Sequence, residues 1–236
     1  MKRRALLLGA MFPRDGRKIV ASLQLRKGCD LVIGVDRGFK YSLALGLRPD
    51  LAIGDWDSLR DLKLLGKCPR LTLPREKDRS DLYFAACAAV NAGATEIVAI
   101  GVTGGRPDHE LAAFLDLAEL AANPRFGLKN VAIEAAEYRH SFIAPGSPWK
   151  AKLRSGQLVS IFALNGTAHG VTLRGLKYAL RGERLIPSSH GLSNQSVGGD
   201  CSISLKRGLL LIMLKKRHED SSGGMKFPAL TKAEVT

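Results

Sequence analysis

Cysteine is scarce in this 236-residue chain, and the four present, Cys29, Cys68, Cys87 and Cys201, are far apart with no Cys-x-x-Cys among them. That argues for reduced thiols and against a disulfide framework. The five histidines include no His-x-x-x-His pair, so zinc lacks a ligand set. Aromatic residues make up only 6% and do not alternate with basic ones, which removes the stacking platform a nucleic-acid binder needs. Long apolar runs are missing: Gly208–Leu214, the longest late in the chain, is far too short to span a bilayer. There is no Gly-x-Ser-x-Gly elbow, no Gly-x-Gly-x-x-Gly and no Walker-type loop. Acid is also short, 22 Asp and Glu against 36 Lys and Arg, for a net charge of +14. Such a charge suits nucleic acid, anionic lipid or small polyanions without choosing among them. Lys2-Arg3-Arg4 and the apolar Ala5–Phe12 imitate a secretory leader, but Pro13–Lys18 interrupts it and no small-residue cleavage site follows. A first buried strand and a soluble cytoplasmic protein are the expectation.

The remainder is ordinary globular material, 45% apolar and 25% charged, long enough for one large domain or two small ones. Short apolar runs bounded by Gly, Pro or Asp predict buried strands at Ala5–Ala10, Asp30–Val35, Leu51–Gly54, Leu71–Pro74, Glu96–Gly101 and Val131–Ala135. Helical spacing fills Arg17–Lys27, Phe39–Leu45, Ser80–Ala92 and Asp108–Ala121, with Ser80 and Asp108 as N-caps. This alternation predicts an α/β domain over residues 1–136 with a mostly parallel sheet. After about residue 137 helical periods vanish. Short strands at Ser141–Ala144, Leu158–Ala163, Val171–Arg174, Cys201–Leu205 and Leu209–Leu214, with turns such as Asn165-Gly166 between them, predict a small all-β sandwich over 137–217. Residues 218–236 read as a disordered tail. Charge divides with the pattern: residues 1–134 hold 21 basic and 16 acidic side chains, residues 135–236 hold 15 and 6.

The acids of the first half gather where predicted strands end: Asp36, Asp55 with Asp57, Asp78 with Asp81, and Asp108. Ligands of an open α/β sheet bind outside the carboxyl ends of its strands, so acids there converge on one crevice. Like charges in one cleft repel, and Mg²⁺ is the cation that shares one or two carboxylates with substrate phosphates. Each Asp taken alone also reads as a cap or turn residue. Asp55-Trp56-Asp57, an exposed tryptophan between two acids, resists that simpler reading. Gly104-Gly105-Arg106, between a strand and a helix, suits phosphate through backbone N–H groups and a guanidinium; it also reads as an ordinary turn, and His109 as a cap or core histidine.

Taken in order, these pieces resemble the thiamine pyrophosphokinase family. Its motifs are matched by Asp36-Arg37-Gly38, Pro49-Asp50, Gly54-Asp55-Trp56-Asp57-Ser58, Lys77-Asp78-Arg79-Ser80-Asp81 and Gly104-Gly105-Arg106-Pro107-Asp108-His109. The second half adds Gly175-Leu176-Lys177-Tyr178-Ala179-Leu180 and Gly191-Leu192-Ser193-Asn194. Trp56 stands for the family's usual Phe, Ser80 for Thr and Ala179 for Pro; the opening Leu7–Pro13 departs from the family's more typical start. The resemblance implies an ATP-binding α/β catalytic domain, a thiamine-binding β-sandwich, and a homodimer with the thiamine pocket between subunits. It implies transfer of pyrophosphate from ATP to thiamine, releasing AMP. By motif position, Asp55, Asp57 and Asp81 would hold Mg²⁺ and phosphates and serve catalysis. Asp36, Asp78, Gly104, Gly105, Arg106, Asp108 and His109 would line the nucleotide site, and Ser193 with Asn194 would face the thiamine pyrimidine. No nucleic acid or membrane partner is implied.

Two other functions are compatible with these residues. A related pyrophosphokinase for another alcohol, such as a hydroxymethylpterin, would share the carboxylates but lack the Tyr178 and Ser193-Asn194 strings. A non-catalytic polyanion-binding protein would give steeply salt-dependent binding and no reason for acids at strand ends.

Overall fold

In the computed structural model, which describes residues 3–11, 15–25, 30–57, 59 and 62–217, the apolar runs of the first half are strands. The expected tail, Ser58 and Cys29 lie outside the described residues. Strands β1 (Arg3–Leu8), β2 (Asp30–Val35), β3 (Leu51–Gly54), β4 (Arg70–Thr72), β5 (Ala94–Ile100), β6 (Asn130–Glu134) and β7 (Tyr138–Ile143) lie in the order β4-β3-β2-β1-β5-β6-β7. The first six are mutually parallel and β7 runs antiparallel to β6. Helices α1 (Gly16–Ser22), α2 (Gly38–Ala44), α3 (Asp81–Asn91) and α4 (Pro107–Ala122) lie between the strands in chain order. Leu6, Leu7, Leu8, Ile33, Ile53, Ile97, Ile100 and Ile133 are fully buried. Strands covered on both faces need such unbroken apolar runs.

The chain steps from β1 outward through β2, β3 and β4, then returns to the other flank of β1 with β5. The order therefore reverses between β1 and β5, and the crevice for a ligand opens at the carboxyl ends there. Glycines let the loops close up at this edge. A Cβ on Gly38 would lie 1.8 Å from the Leu8 carbonyl oxygen, and one on Gly101 would lie 2.3 Å from the Met11 carbonyl oxygen.

The chain divides into two compact units, residues 1–142 and 143–236. The described part of the second unit is almost all strand: β8 (Trp149–Leu153), β9 (Leu158–Arg174), β10 (Leu180–Leu185), β11 (Asn194–Gln195), β12 (Gly199–Ser204) and β13 (Arg207–Lys215). The two runs expected as Leu158–Ala163 and Val171–Arg174 are one strand, and Asn165-Gly166 is not a turn between them. Asn165 (φ 54°), Gly166 (φ 94°) and Gly170 (φ 65°) instead kink β9 along its length. Before the kink β9 pairs with β11 and most of β13; beyond it β9 pairs with β10 and β12. Val159, Ile161, Ala163, Val171 and Leu173 from both halves enter one core with Trp149, Leu153, Ile203 and Ile212. Among the described residues no helix is long and apolar enough to cross a membrane, and Cys68, Cys87 and Cys201 are free thiols.

Candidate active site

Asp36 follows β2 directly and holds a left-handed backbone (φ 48°), which an aspartate adopts more readily than a bulkier residue. That conformation turns its carboxylate toward β3. A Cβ on Gly54 would lie 1.8 Å from Asp36 Oδ1, so the glycine of the Gly-Asp-Trp-Asp string makes the room. Asp36 Oδ1 accepts a weak hydrogen bond from the Trp56 N–H at 3.4 Å. The Asp81 carboxylate faces Asp36 closely enough for the two charges to repel. Burial first, then the charges of Asp81 and Asp55, push its pKa up to about 7. The carboxylates expected from separate strand ends therefore do converge: Asp36 after β2, Asp55 after β3 and Asp81 in the first turn of α3.

Lys77 closes the group. Its ammonium lies 3.4 Å from Asp55 Oδ2 and 3.1 Å from Asp81 Oδ1, and donates to the Pro74 carbonyl oxygen at 3.1 Å. Burial opposes the charge on Lys77, but Asp81 and Asp55 outweigh it and raise its pKa. Burial likewise acts to raise Asp55; the Asp57 N–H at 3.1 Å and Lys77 overcome it and hold the carboxylate below its usual range. Asp57 itself is exposed, as is Asp78. Trp56 is not the exposed aromatic expected. It is half-buried against Phe39, Ala52, Leu59 and Leu65, and its indole N–H donates to Thr72 Oγ1 at 3.0 Å.

The loop that delivers Asp81 is tied to α4. Ser80 caps α3 as expected, accepting from the Tyr83 N–H at 3.2 Å, while its hydroxyl donates to Asp116 Oδ2 at 2.5 Å. Arg79 forks onto Glu119 at 2.7 and 3.1 Å and lies over the Tyr83 ring.

A second group occupies the loop after β5. Gly104 (φ 81°) donates its N–H to Glu110 Oε2 at 2.9 Å. The Arg106 guanidinium grips Asp108 at 3.1 and 2.6 Å, and this fork holds the exposed Asp108 carboxylate down at about 2. Asp108 is not the N-cap of α4. Pro107 occupies the first helical position, Arg106 is the cap residue, and Asp108 sits in the first turn beside the exposed His109. Gly105 packs on Met11, where a Cβ would come within 2.5 Å of the sulfur. Asp50, of the Pro-Asp string, is committed to the fold: its carboxylate accepts the Val32 N–H at 2.8 Å.

In the second unit Ser193 (φ 57°) is exposed, with its N–H donating to Ser160 Oγ at 3.0 Å. Asn194 is buried. Its amide accepts the Tyr178 N–H at 3.0 Å and donates to the Tyr178 carbonyl oxygen at 2.8 Å. It fixes the turn carrying the 61%-exposed Tyr178, so its amide is committed to the backbone and not presented to a ligand.

Comparison with known proteins accounts for both halves. A family model described as thiamin pyrophosphokinase, catalytic domain, matches residues 23–126, and one described as thiamin pyrophosphokinase, vitamin B1 binding domain, matches residues 150–210. The chain belongs to the thiamin pyrophosphokinase family. A thiamine pyrophosphokinase of Bacillus subtilis (strain 168) is 28% identical over 188 residues, covering 78% of this chain and 86% of its own. The crystal structure of the thiamine pyrophosphokinase from Bacillus subtilis matches with a TM-score of 0.76 at 23% identity, over 91% of this chain and 99% of that one. One from Geobacillus thermodenitrificans gives 0.72 at 24%, over 92% and 99%. At these identities the two structures speak for the fold. The catalytic-domain match takes in every first-unit residue picked out from the sequence, and the B1-binding match takes in Tyr178, Ser193 and Asn194.

Sequence reasoning singled out neither Lys77, Glu110, Ser160 nor Asp116 as site residues. Lys77 had a local signal, standing four residues before Asp81 at the spacing of a helical ion pair. Glu110 is also local, six residues from the Gly104 N–H, whereas Ser160 and Asp116 act on Ser193 and Ser80 across distances in the chain that no short motif encodes.

Proposed function

We propose that this protein is a thiamine pyrophosphokinase, moving the terminal pyrophosphoryl group of ATP to the hydroxyl of thiamine with release of AMP. One observation carries the reading. Asp36, Asp55 and Asp81 meet at the carboxyl edge of a parallel sheet, inside the segment matched by the catalytic-domain model. Burial first, and then the charges of Asp81 and Asp55, lift Asp36 to about 7, and a cation entering beside the three acids would relieve the part that comes from charge.

The donor set fits magnesium. It is all oxygen and crowded with like charge; among the described residues no three Asp, Glu, His or Cys side chains are grouped to hold a metal unaided, so substrate phosphates would have to complete the ligand set. Mg²⁺ is usually bound in this way, by one or two carboxylates together with substrate phosphates. Asp55 and Asp81 would hold it, with Asp57 at the open rim; when bound it supplies charge neutralisation on the phosphates. Attack at phosphorus needs little covalent help, so this chain's residues act by positioning and electrostatics. The Gly104 and Gly105 backbone, the start of α4 and Arg106 offer donors to phosphate oxygens, with His109 in the first turn of that helix; Asp78, exposed before α3, would join them on the nucleotide. Arg106 and the Gly104 N–H are already engaged by Asp108 and Glu110, and incoming phosphates would compete for both. Ser193 and Tyr178 would meet the acceptor, with Asn194 holding Tyr178 in place.

The proposal includes a homodimer that shares its thiamine pockets. The exposed Tyr178, Leu192 and Val197 around Ser193 support it, since apolar groups left in water near a polar anchor suit burial against ligand or partner. It also places the enzyme in the cytoplasm, where the free thiols of Cys68, Cys87 and Cys201 are at home. Incubation with Mg²⁺, ATP and thiamine, followed by separation of the nucleotides, tests the reaction. AMP equal in amount to thiamine pyrophosphate is the expected result. ADP with thiamine monophosphate overturns the bond broken, and turnover of a hydroxymethylpterin instead overturns the acceptor.

A further inference from the structure

We infer that Lys77 is the resident counter-ion of the acidic site, holding the place between Asp55 and Asp81 that a divalent cation takes, and that it must leave for the cation to enter. The inference rests on the reading of this cluster as a metal–nucleotide centre and goes beyond it by assigning the competitor.

Three observations support it. Lysine normally keeps its ammonium in water, yet the Lys77 side chain is only 10% exposed, with its nitrogen 3.1 Å from Asp81 Oδ1 and 3.4 Å from Asp55 Oδ2. The ammonium thus bridges the two carboxylates assigned to the metal. Next, the contact to Asp81 is one of charge: the buried Asp81 Oδ1 faces the ammonium but lacks a properly directed hydrogen bond. An oxygen held that way gives up its partner more readily than one locked in a directed bond. Finally, Lys77 reaches in from a loop whose neighbours Arg75, Glu76, Asp78 and Arg79 are all exposed. A flexible four-carbon stem rooted at the surface can swing out without moving the backbone.

Lys77 therefore stabilises the metal-free protein and opposes the cation. Metal alone meets a site already partly neutralised by a lysine. Metal arriving with a triphosphate brings enough negative charge to displace it. This makes metal and nucleotide binding mutually dependent.

The test is Mn²⁺ binding to the nucleotide-free, full-length protein, followed by the electron paramagnetic resonance of the free ion, together with melting temperature in chelator and in Mn²⁺. Lys77→Met is expected to bind Mn²⁺ about tenfold more tightly than wild type, the order of effect of one nearby unit charge in a partly screened cleft. Its melting temperature should fall in chelator and gain more from Mn²⁺ than the wild type does. Lys77→Arg should titrate like wild type. Should Lys77→Met not fold, Lys77→Gln, which keeps a donor but no charge, should show the same tightening. Mn²⁺ affinity equal to or weaker than wild type in the uncharged variants overturns the inference. Failure of the underlying site reading shows differently: Asp55→Asn would then bind Mn²⁺ in the presence of ATP as wild type does.

Discussion

Asp36 is held in a left-handed turn between two other acids, and asparagine tolerates that backbone equally well. Asp36→Asn keeps an acceptor for the Trp56 N–H and removes the charge that burial, Asp81 and Asp55 all oppose. The folded-state pKa of about 7 lies above the unfolded 3.8, so the protonated form is favoured by folding. Its contribution is full below the unfolded value and is lost as pH rises through 7. In metal-free buffer Asp36→Asn should therefore melt higher than wild type at pH 8 and level with it near pH 4; a thermal series across that range checks this. Asp81→Asn should leave the fold intact and lower turnover by at least about a hundredfold, as expected when a group stabilising transition-state charge is lost. A steady-state assay at ordinary Mg²⁺ measures it. Acids at strand ends are legible in a sequence because topology puts strand ends together. Which of them touch is not: Asp36, Asp55 and Asp81 make the cluster, while Asp57, equal to them in the string, stands exposed.

Helix α3 owes its position to α4. The Ser80 hydroxyl caps α3 and donates to the buried Asp116, so one short hydrogen bond fixes where Asp81 begins the helix. Asp116→Ala should cost about 1–2 kcal/mol of stability, through the weakened cap and the unpaired hydroxyl. It should also lower kcat more than it changes KM for thiamine, because it moves Asp81. Asp116→Asn, which still accepts from Ser80, should restore most of both; urea melts and steady-state kinetics separate the effects. Most elements legible in the sequence are buried; β4, expected as a buried strand at Leu71–Pro74, is instead an exposed edge strand. β10 reads Leu-Arg-Gly-Glu-Arg-Leu and buries only Leu185, so it carries no apolar pattern to find. β8 alternates, but with three buried positions separated by lysines it is easily passed over. The start of α4 lies before Asp108 for a plainer reason: Pro107 takes the first helical position, where its missing N–H and fixed φ cost nothing, and Asp108 falls within the first turn.

Each unit has its own buried core, the first around Leu6, Leu8 and Ile100 and the second around Ile161, Ile203 and Ile212. Residues 1–142 expressed alone should fold and gain melting temperature from Mg²⁺–ATP, yet convert no thiamine; full turnover by that fragment would remove the second unit from the reaction. Within the second unit, every other strand except β8 pairs directly with β9, and all of those partners come later in the chain. Val159 waits for Leu214, and Leu173 for Ile203. During synthesis β9 is thus made early, and although β10 and β11 cover part of it, the stretches that pair with β12 and β13 stay open until those strands emerge, the condition in which strands join other chains. Long-range pairings of this kind also fold slowly, because loop closure precedes any reward. A chain ending after Lys206, which lacks β13, should leave one edge of β9 bare and partition into the insoluble fraction on expression, while the 236-residue chain stays in the supernatant. The kinked strand that unites the core also makes the last-made strand the one on which solubility depends.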